Sequence, residues 1–294
     1  MSQAVLHKFI FETFDVRGAI VRLDDAWRTV VERHYYPAQV STWLGEALCT
    51  SALVQSGLKR PGVLGFQLRS ESALKLLLAQ CDHQGNVRGL ARFEEGAEQL
   101  VSLDQLGEKS LLSMQLQQEG GGEPYQGIVP LLGSSFGEAV EQYFEQSEQL
   151  PTKLWLSVNN DQACGLLLQQ LPRSEHAKYD DDGWNRVVKL AETVSRRELV
   201  SVPPEQLLHR LFHQEDIVQF EPQPVRFSCS CSRERVAEML RSLGAAEVES
   251  VLAEKETIEV FCEHCNERYE FDAVDAAQLF IADENQAPVS SRPQ

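Results

Sequence analysis

Two short cysteine motifs constrain this chain more than anything else in it: Cys229-Ser230-Cys231 and, thirty residues later, Cys262-Glu263-His264-Cys265. Four thiolates fit a closed tetrahedral Zn²⁺ site with Zn–S bonds near 2.3 Å, which sets the sulfurs about 3.8 Å apart. Residues two apart on an extended strand project to one face, so Cys229 and Cys231 can share an ion while the CxxC turn bends round it. The motifs therefore predict one Zn²⁺ per reduced chain, held by Cys229, Cys231, Cys262 and Cys265. His264, inside the CxxC turn, is an alternative ligand. Catalytic zinc needs an open coordination position, and four cysteines fill the shell, so the pattern argues against an enzyme.

The flanks predict a small module built round the metal. Val225 to Phe227 and Ile258 to Phe261 read as strands, Ser232 caps a helix carrying Val236, Met239 and Leu240, and Gly244 ends it. Large apolar residues are few between 221 and 294, so metal binding is expected to supply much of the module's folding free energy.

At 294 residues the chain is long enough for further domains. Val16 to Leu23, Val63 to Leu68, Leu74 to Ala79, Val87 to Phe93, Leu111 to Leu116 and Tyr125 to Leu131 read as strands, with Thr152 to Val158 and Cys164 to Leu171 as a hairpin. Asp24 is a candidate N-cap for a helix ending near Pro37. Val40 to Val54 carries apolar residues at helical spacing up to Gly57, and Ser134 or Ser135 caps a helix that stops before Pro151. Strands and helices do not alternate one for one, which predicts an α+β core rather than a doubly wound parallel sheet. No phosphate-binding glycine motif occurs; Gly120-Gly121-Gly122 has no basic follower and reads as a turn.

Beyond Pro172 the composition changes. Lys178 to Gly183 is a polar bridge, followed by an apolar stripe from Trp184 to Val194 and another at Leu207, Leu208, Leu211 and Phe212, entered at Pro203-Pro204. Such short helices must lay their stripes on the preceding domain, the following one or a partner. The organisation expected is a mixed sheet-and-helix core over 1–174, a helical linker over 175–224, and a small four-cysteine zinc-binding domain with its tail over 225–294.

The net charge of −17 is spread as −6 over 1–174, −3 over 175–220 and −8 over 221–294, with no basic tract. This argues against nucleic acid and against an anionic membrane surface as partners. Without an apolar leader in Met1 to Ile10 or a long apolar segment, a cytoplasmic location is expected, where clustered thiols bind metal or do redox chemistry. Cys49, Cys81 and Cys164 sit in apolar contexts and read as small core residues. His209 and His213 are spaced i, i+4 but read as an exposed polar edge. Residue chemistry alone leaves three functions open: a redox-switched zinc protein, a permanently structural zinc ribbon in a binding module or accessory factor, and a disulfide oxidoreductase. The last lacks a thioredoxin-like context.

The cysteine flanks FSCSCSRERV and FCEHCNERYEF resemble the zinc module of the redox-regulated 33 kDa heat-shock chaperonin family. FETFDVRGAIV (Phe11 to Val21), YQGIVPL (Tyr125 to Leu131) and YFEQSEQLPTKLW (Tyr143 to Trp155) are similar to its core, and LHRLFHQEDIVQFEPQPVRFSCSCSRER to its linker junction. Asn266 stands where the family often has Gly. The resemblance implies an ATP-independent holdase for unfolded client proteins under oxidative and heat stress, inactive when reduced and zinc-bound. It further implies activation by disulfides Cys229–Cys231 and Cys262–Cys265 with zinc release, and a homodimer when oxidised. If the linker stripes rest on the zinc module, its unfolding would free them for clients.

Overall fold

Ala38–Gln55 is buried nearly all round, including Cys49, Thr50, Ser51 and Gln55. A helix with no wet face must lie between layers. In the computed structural model, which describes residues 4–172, 180 and 182–284, that helix fills the space between two sheets. Its hydroxyls are satisfied locally: Ser51 donates to the Ala47 and Ala79 carbonyls at 2.8 and 3.1 Å, and Thr50 to the Glu46 carbonyl at 2.8 Å. The mixture of sheets and helices is α+β, as expected. The chain divides into two compact units, Met1–Ser228 and Cys229–Gln294. Lys178, Tyr179 and Asp181 of the expected bridge, and the expected boundary at 174–175, lie outside the described residues.

The first sheet runs Ile217–Gln219, Val5–Phe11, Val16–Arg22, Ala163–Gln170, Thr152–Val158, with Gln223–Pro224 also pairing to Val5–Phe11. The second runs Arg226–Phe227, Asn86–Phe93, Leu74–Asp82, Gly62–Arg69, Leu111–Gln118, Tyr125–Pro130. Pairing is antiparallel except at Arg226–Phe227, which lies parallel to Asn86–Phe93. Ser135 caps Phe136–Tyr143, its hydroxyl accepting from the Glu138 amide, and the helix runs on into a π-helical turn, Phe144–Glu148, that the chain leaves through Gln149 at φ 54°. Asp24 differs from expectation. It is the first residue of the helix Asp24–Arg33 rather than its cap, buried 3.6 Å from Arg22 Nη2.

The first sheet buries both faces. Ala19, Val21 and Leu167 face the core shared with Ala38–Gln55, while Phe9, Phe11, Val16, Ile20, Leu166 and Leu168 face the other way. Strand alternation sends successive residues to opposite sides, so each strand supplies both cores. The outer face is covered by Gly183–Ala191, Arg196–Ser201 and Pro204–Phe212, whose Val187, Ala191, Leu199, Leu207, Leu208 and Phe212 are buried in it. Phe212 lies 5.8 Å from Phe9 and 5.3 Å, edge-on, from Phe11. Gly18, opposite Phe9, makes the room: a Cβ there would come within 2.1 Å of the Phe9 ring. The linker stripes thus rest on the preceding sheet, the first of the three resting places the sequence leaves open.

Arg226–Phe227 corrects a second expectation. These residues belong to the second sheet of the core unit instead of a strand of the metal module, with Arg33 stacked 5.2 Å from the Phe227 ring centroid. No helix among the described residues is long and apolar enough to cross a membrane.

Candidate metal centre

The second unit gathers a small apolar core of Val236, Ala237, Leu240, Val248, Ile258, Phe271, Ala276 and Leu279. Ser232 begins Arg233–Leu243 by accepting from the Arg235 amide, and Gly244, at φ 92°, ends it and leads directly into Ala245–Glu254. Met239 lies on the exposed side of its helix, outside that core. Ile258–Phe261 and Arg268–Phe271 form a hairpin in which Phe261 faces Arg268, and Ala273–Glu284 follows.

The two motifs sit at the ends of these elements. Cys262 and Cys265 occupy the hairpin turn, where the Asn266 amide donates to the Cys262 carbonyl at 2.7 Å and the Cys262 amide to the Glu267 carbonyl at 3.0 Å. Closing that turn needs the left-handed conformation, and Asn266 adopts it at φ 55°. The strand before the first motif stops at Phe227, so Cys229 to Cys231 lie in a loop entering the helix rather than on a strand face. Arg235 Nη1 steadies that loop through the Ser230 carbonyl at 2.6 Å.

All four expected sulfurs are brought together. Cys229, Cys231, Cys262 and Cys265 Sγ lie within 4.8 Å of one another, and His264 is not part of the group. The close approaches cross between motifs: Cys229 to Cys262 at 3.6 Å and Cys231 to Cys265 at 3.2 Å. These separations lie near the roughly 3.8 Å of tetrahedral zinc thiolate and far from the disulfide length of about 2.05 Å. The donor set, four soft sulfurs tied to one small core, fits Zn²⁺ with only slight adjustment.

Tyr269, opposite Val260 in the hairpin, adds a residue the cysteine pattern does not disclose. Its hydroxyl donates to Cys231 Sγ at 3.1 Å. Its only signal in sequence is a hydroxyl-bearing side chain in the strand that follows the CxxC turn. Burial opposes ionisation of Cys231, but hydrogen bonds from Tyr269 and the neighbouring thiols outweigh it and bring the thiol down to about 7. Burial pushes the Cys229 and Cys265 thiols up.

The other cysteines are placed as expected. Cys49, Cys81 and Cys164 are buried, and burial raises all three thiols, Cys164 to about 12. A thiol held protonated in an apolar core is a poor nucleophile. His209 and His213 are exposed with ring centroids 6.0 Å apart, and among the described residues only the four cysteines form a group of three or more metal-binding side chains.

Comparison with known proteins bears on the whole chain. A family model described as Hsp33 protein matches residues 5–272. The 33 kDa chaperonin of Nitrosococcus oceani is 45% identical over 286 residues, covering 97% of each chain. That of Ectopseudomonas mendocina is 42% identical, covering 97% of this chain and 98% of the relative. The crystal structure of a 33 kDa chaperonin from Thermotoga maritima superposes with a TM-score of 0.80 at 22% identity, covering 96% of this chain and 99% of that one, a likeness of fold.

Proposed function

Because the chain belongs to the Hsp33 family, we propose that it is a redox-regulated, ATP-independent holdase, silent when reduced and zinc-bound and active when its C-terminal thiols are oxidised. The observation that carries this reading is the meeting of four sulfurs, from two distant motifs, within 4.8 Å. A cluster drawn from separated segments can be a fold's main fastening and its most oxidisable point at once.

Cys229, Cys231, Cys262 and Cys265 would hold the ion. When bound, Zn²⁺ neutralises thiolate charge and crosslinks the loop before Arg233–Leu243 to the hairpin turn. A structural zinc supplies about 10–16 kcal/mol of apparent binding energy, comparable with the roughly 5–15 kcal/mol stability of a whole domain. The small core of this unit fits such dependence. Oxidation by peroxide or hypochlorite takes two electrons per disulfide, and we assign Cys229–Cys231 and Cys262–Cys265 as the pairs. Sulfurs about 2.05 Å apart cannot both remain ligands, so each disulfide removes a pair from the donor set. The linker stripes pack on the core sheet, so their release is a further step: after loss of the module the linker over 175–224 undocks from that sheet, and its stripes, with the sheet face of Phe9, Phe11 and Ile20 beneath them, become the surface offered to unfolded clients. Residues 1–174 stay folded as the platform, and the second unit, Cys229–Gln294, acts as the switch. The setting is the cytoplasm, with a homodimer as the oxidised form. Neither nucleic acid nor membrane is a partner, and no residue is assigned catalytic turnover.

The test follows zinc release and client aggregation together during oxidation. Release that rises in step with suppressed aggregation is expected. A structural ribbon would keep its zinc or gain no activity, and an oxidoreductase would turn over dithiol substrates.

A further inference from the structure

Cys231 is the sulfur to which a tyrosine hydroxyl is delivered. Tyr269 lies on Arg268–Phe271, in register with Val260, its ring packed partly buried against the small core of the module. That packing fixes the direction of the hydroxyl, which donates to Cys231 Sγ at 3.1 Å. The bond joins the hairpin carrying Cys262 and Cys265 to the loop carrying Cys229 and Cys231, so it spans the two halves of the cluster without being a ligand.

We propose that Tyr269 is a positioning residue: its hydroxyl, bonded to Cys231 Sγ, sets how tightly the four sulfurs hold their metal and how readily they are oxidised. Groups that hydrogen-bond a ligating atom orient it, and removing them commonly weakens metal binding by about 10–100-fold. The same bond occupies a sulfur lone pair that would otherwise attack an oxidant. In the step concerned, a Cys231 thiolate lone pair attacks a peroxide oxygen: the S–O bond forms, the O–O bond breaks and hydroxide leaves. A second thiolate of the cluster then displaces hydroxide from the sulfenic acid as the S–S bond forms. Two electrons pass from two sulfurs to one peroxide. With its lone pair shared, Cys231 enters the first step more slowly, so Tyr269 raises the oxidant level at which the cluster opens. This inference rests on the metal reading above.

The test compares full-length wild type with Tyr269→Phe, which keeps the ring and loses the donor. Zinc affinity by chelator competition is expected to fall about 10–100-fold. Zinc release at fixed peroxide is expected to quicken roughly tenfold, the scale of one charge-assisted hydrogen bond. In the Co²⁺-substituted proteins the sulfur-to-metal charge-transfer band should move to lower energy, a signature that a merely structural ring would not shift. If the phenylalanine variant does not fold, 3-fluorotyrosine at 269, a stronger donor of nearly the same shape, must move the band to higher energy. Bands, affinities and release rates unchanged by loss of the hydroxyl overturn the role of Tyr269 while leaving the metal site standing. A wild-type chain that binds neither Zn²⁺ nor Co²⁺ overturns both.

Discussion

Phe212 is where the linker's last helix grips the core. It is 1% exposed and packs on Phe9 and Phe11 at 5.8 and 5.3 Å. Truncating a buried Phe to Ala costs about 3–5 kcal/mol. The cost at this position falls on the seam between helix and sheet, so it acts on docking of the linker. At about 1.4 kcal/mol per factor of ten, the undocked population should rise roughly 10²- to 4 × 10³-fold. Phe212→Ala is therefore expected to suppress client aggregation, read by light scattering of a thermally unfolding protein, while still reduced and with its full zinc content. Phe66→Ala is the control. That ring is fully buried in the other core against Phe136 and Tyr143, so a similar loss of stability there should bring no activity in the reduced state. If Phe212→Ala frees the linker, shown by lost exchange protection over 184–212, and the reduced protein still ignores clients, the linker and its sheet face are not the client surface.

The central metal assignment predicts that Cys262→Ser combined with Cys265→Ser abolishes stoichiometric zinc in the reduced protein; full zinc content by metal analysis would contradict it. Replacing Cys49, Cys81 and Cys164 together with Ala should leave peroxide activation at elevated temperature intact, since burial holds these thiols protonated; a folded, zinc-loaded triple variant that no longer activates would refute this. Burial pushes the Glu46 carboxyl up from 4.5 to about 7, against the pull of Arg196 and the Phe136 amide. Between those values the folded chain keeps a proton the unfolded chain has released, so stability falls as pH rises from 4.5 to 7 and is level above. Glu46→Gln should remove that slope and raise stability at pH 8 by about 1–3 kcal/mol; an unchanged profile of Tm against pH would contradict it.

Local chemistry is legible in the sequence where one residue decides it. The caps Ser135 and Ser232, the entry at Pro203-Pro204, the stop at Gly244 and the left-handed tolerance of Asn266 all follow from side-chain or backbone properties that need no tertiary context. The cysteine cluster is legible for the same reason: two short spacings suffice to place four sulfurs. What the sequence does not disclose is long-range pairing. Ile217–Gln219, Gln223–Pro224 and Arg226–Phe227 are two or three residues long, too short for an alternation, yet they return to the edges of two sheets. Proximity in sequence therefore assigns Val225 to Phe227 to the metal module, although backbone pairing puts Arg226 and Phe227 in the core unit. Asp24 shows the same limit. Aspartate suits an N-cap, but the nearby Arg22 guanidinium makes burial within the first turn tolerable. Tyr269 stays hidden because its role depends on a 3.1 Å approach across the turn, which no spacing rule encodes.

Hydrogen exchange of the reduced and the fully oxidised protein tests the switch most directly. Amides of Arg233–Leu243 and of the hairpin should lose protection on oxidation together with those of Gly183–Ala191 and Pro204–Phe212, while Ala38–Gln55, enclosed between two sheets, stays slow. Unchanged protection across 184–265 in a sample that is oxidised, zinc-free and active toward clients would contradict the account.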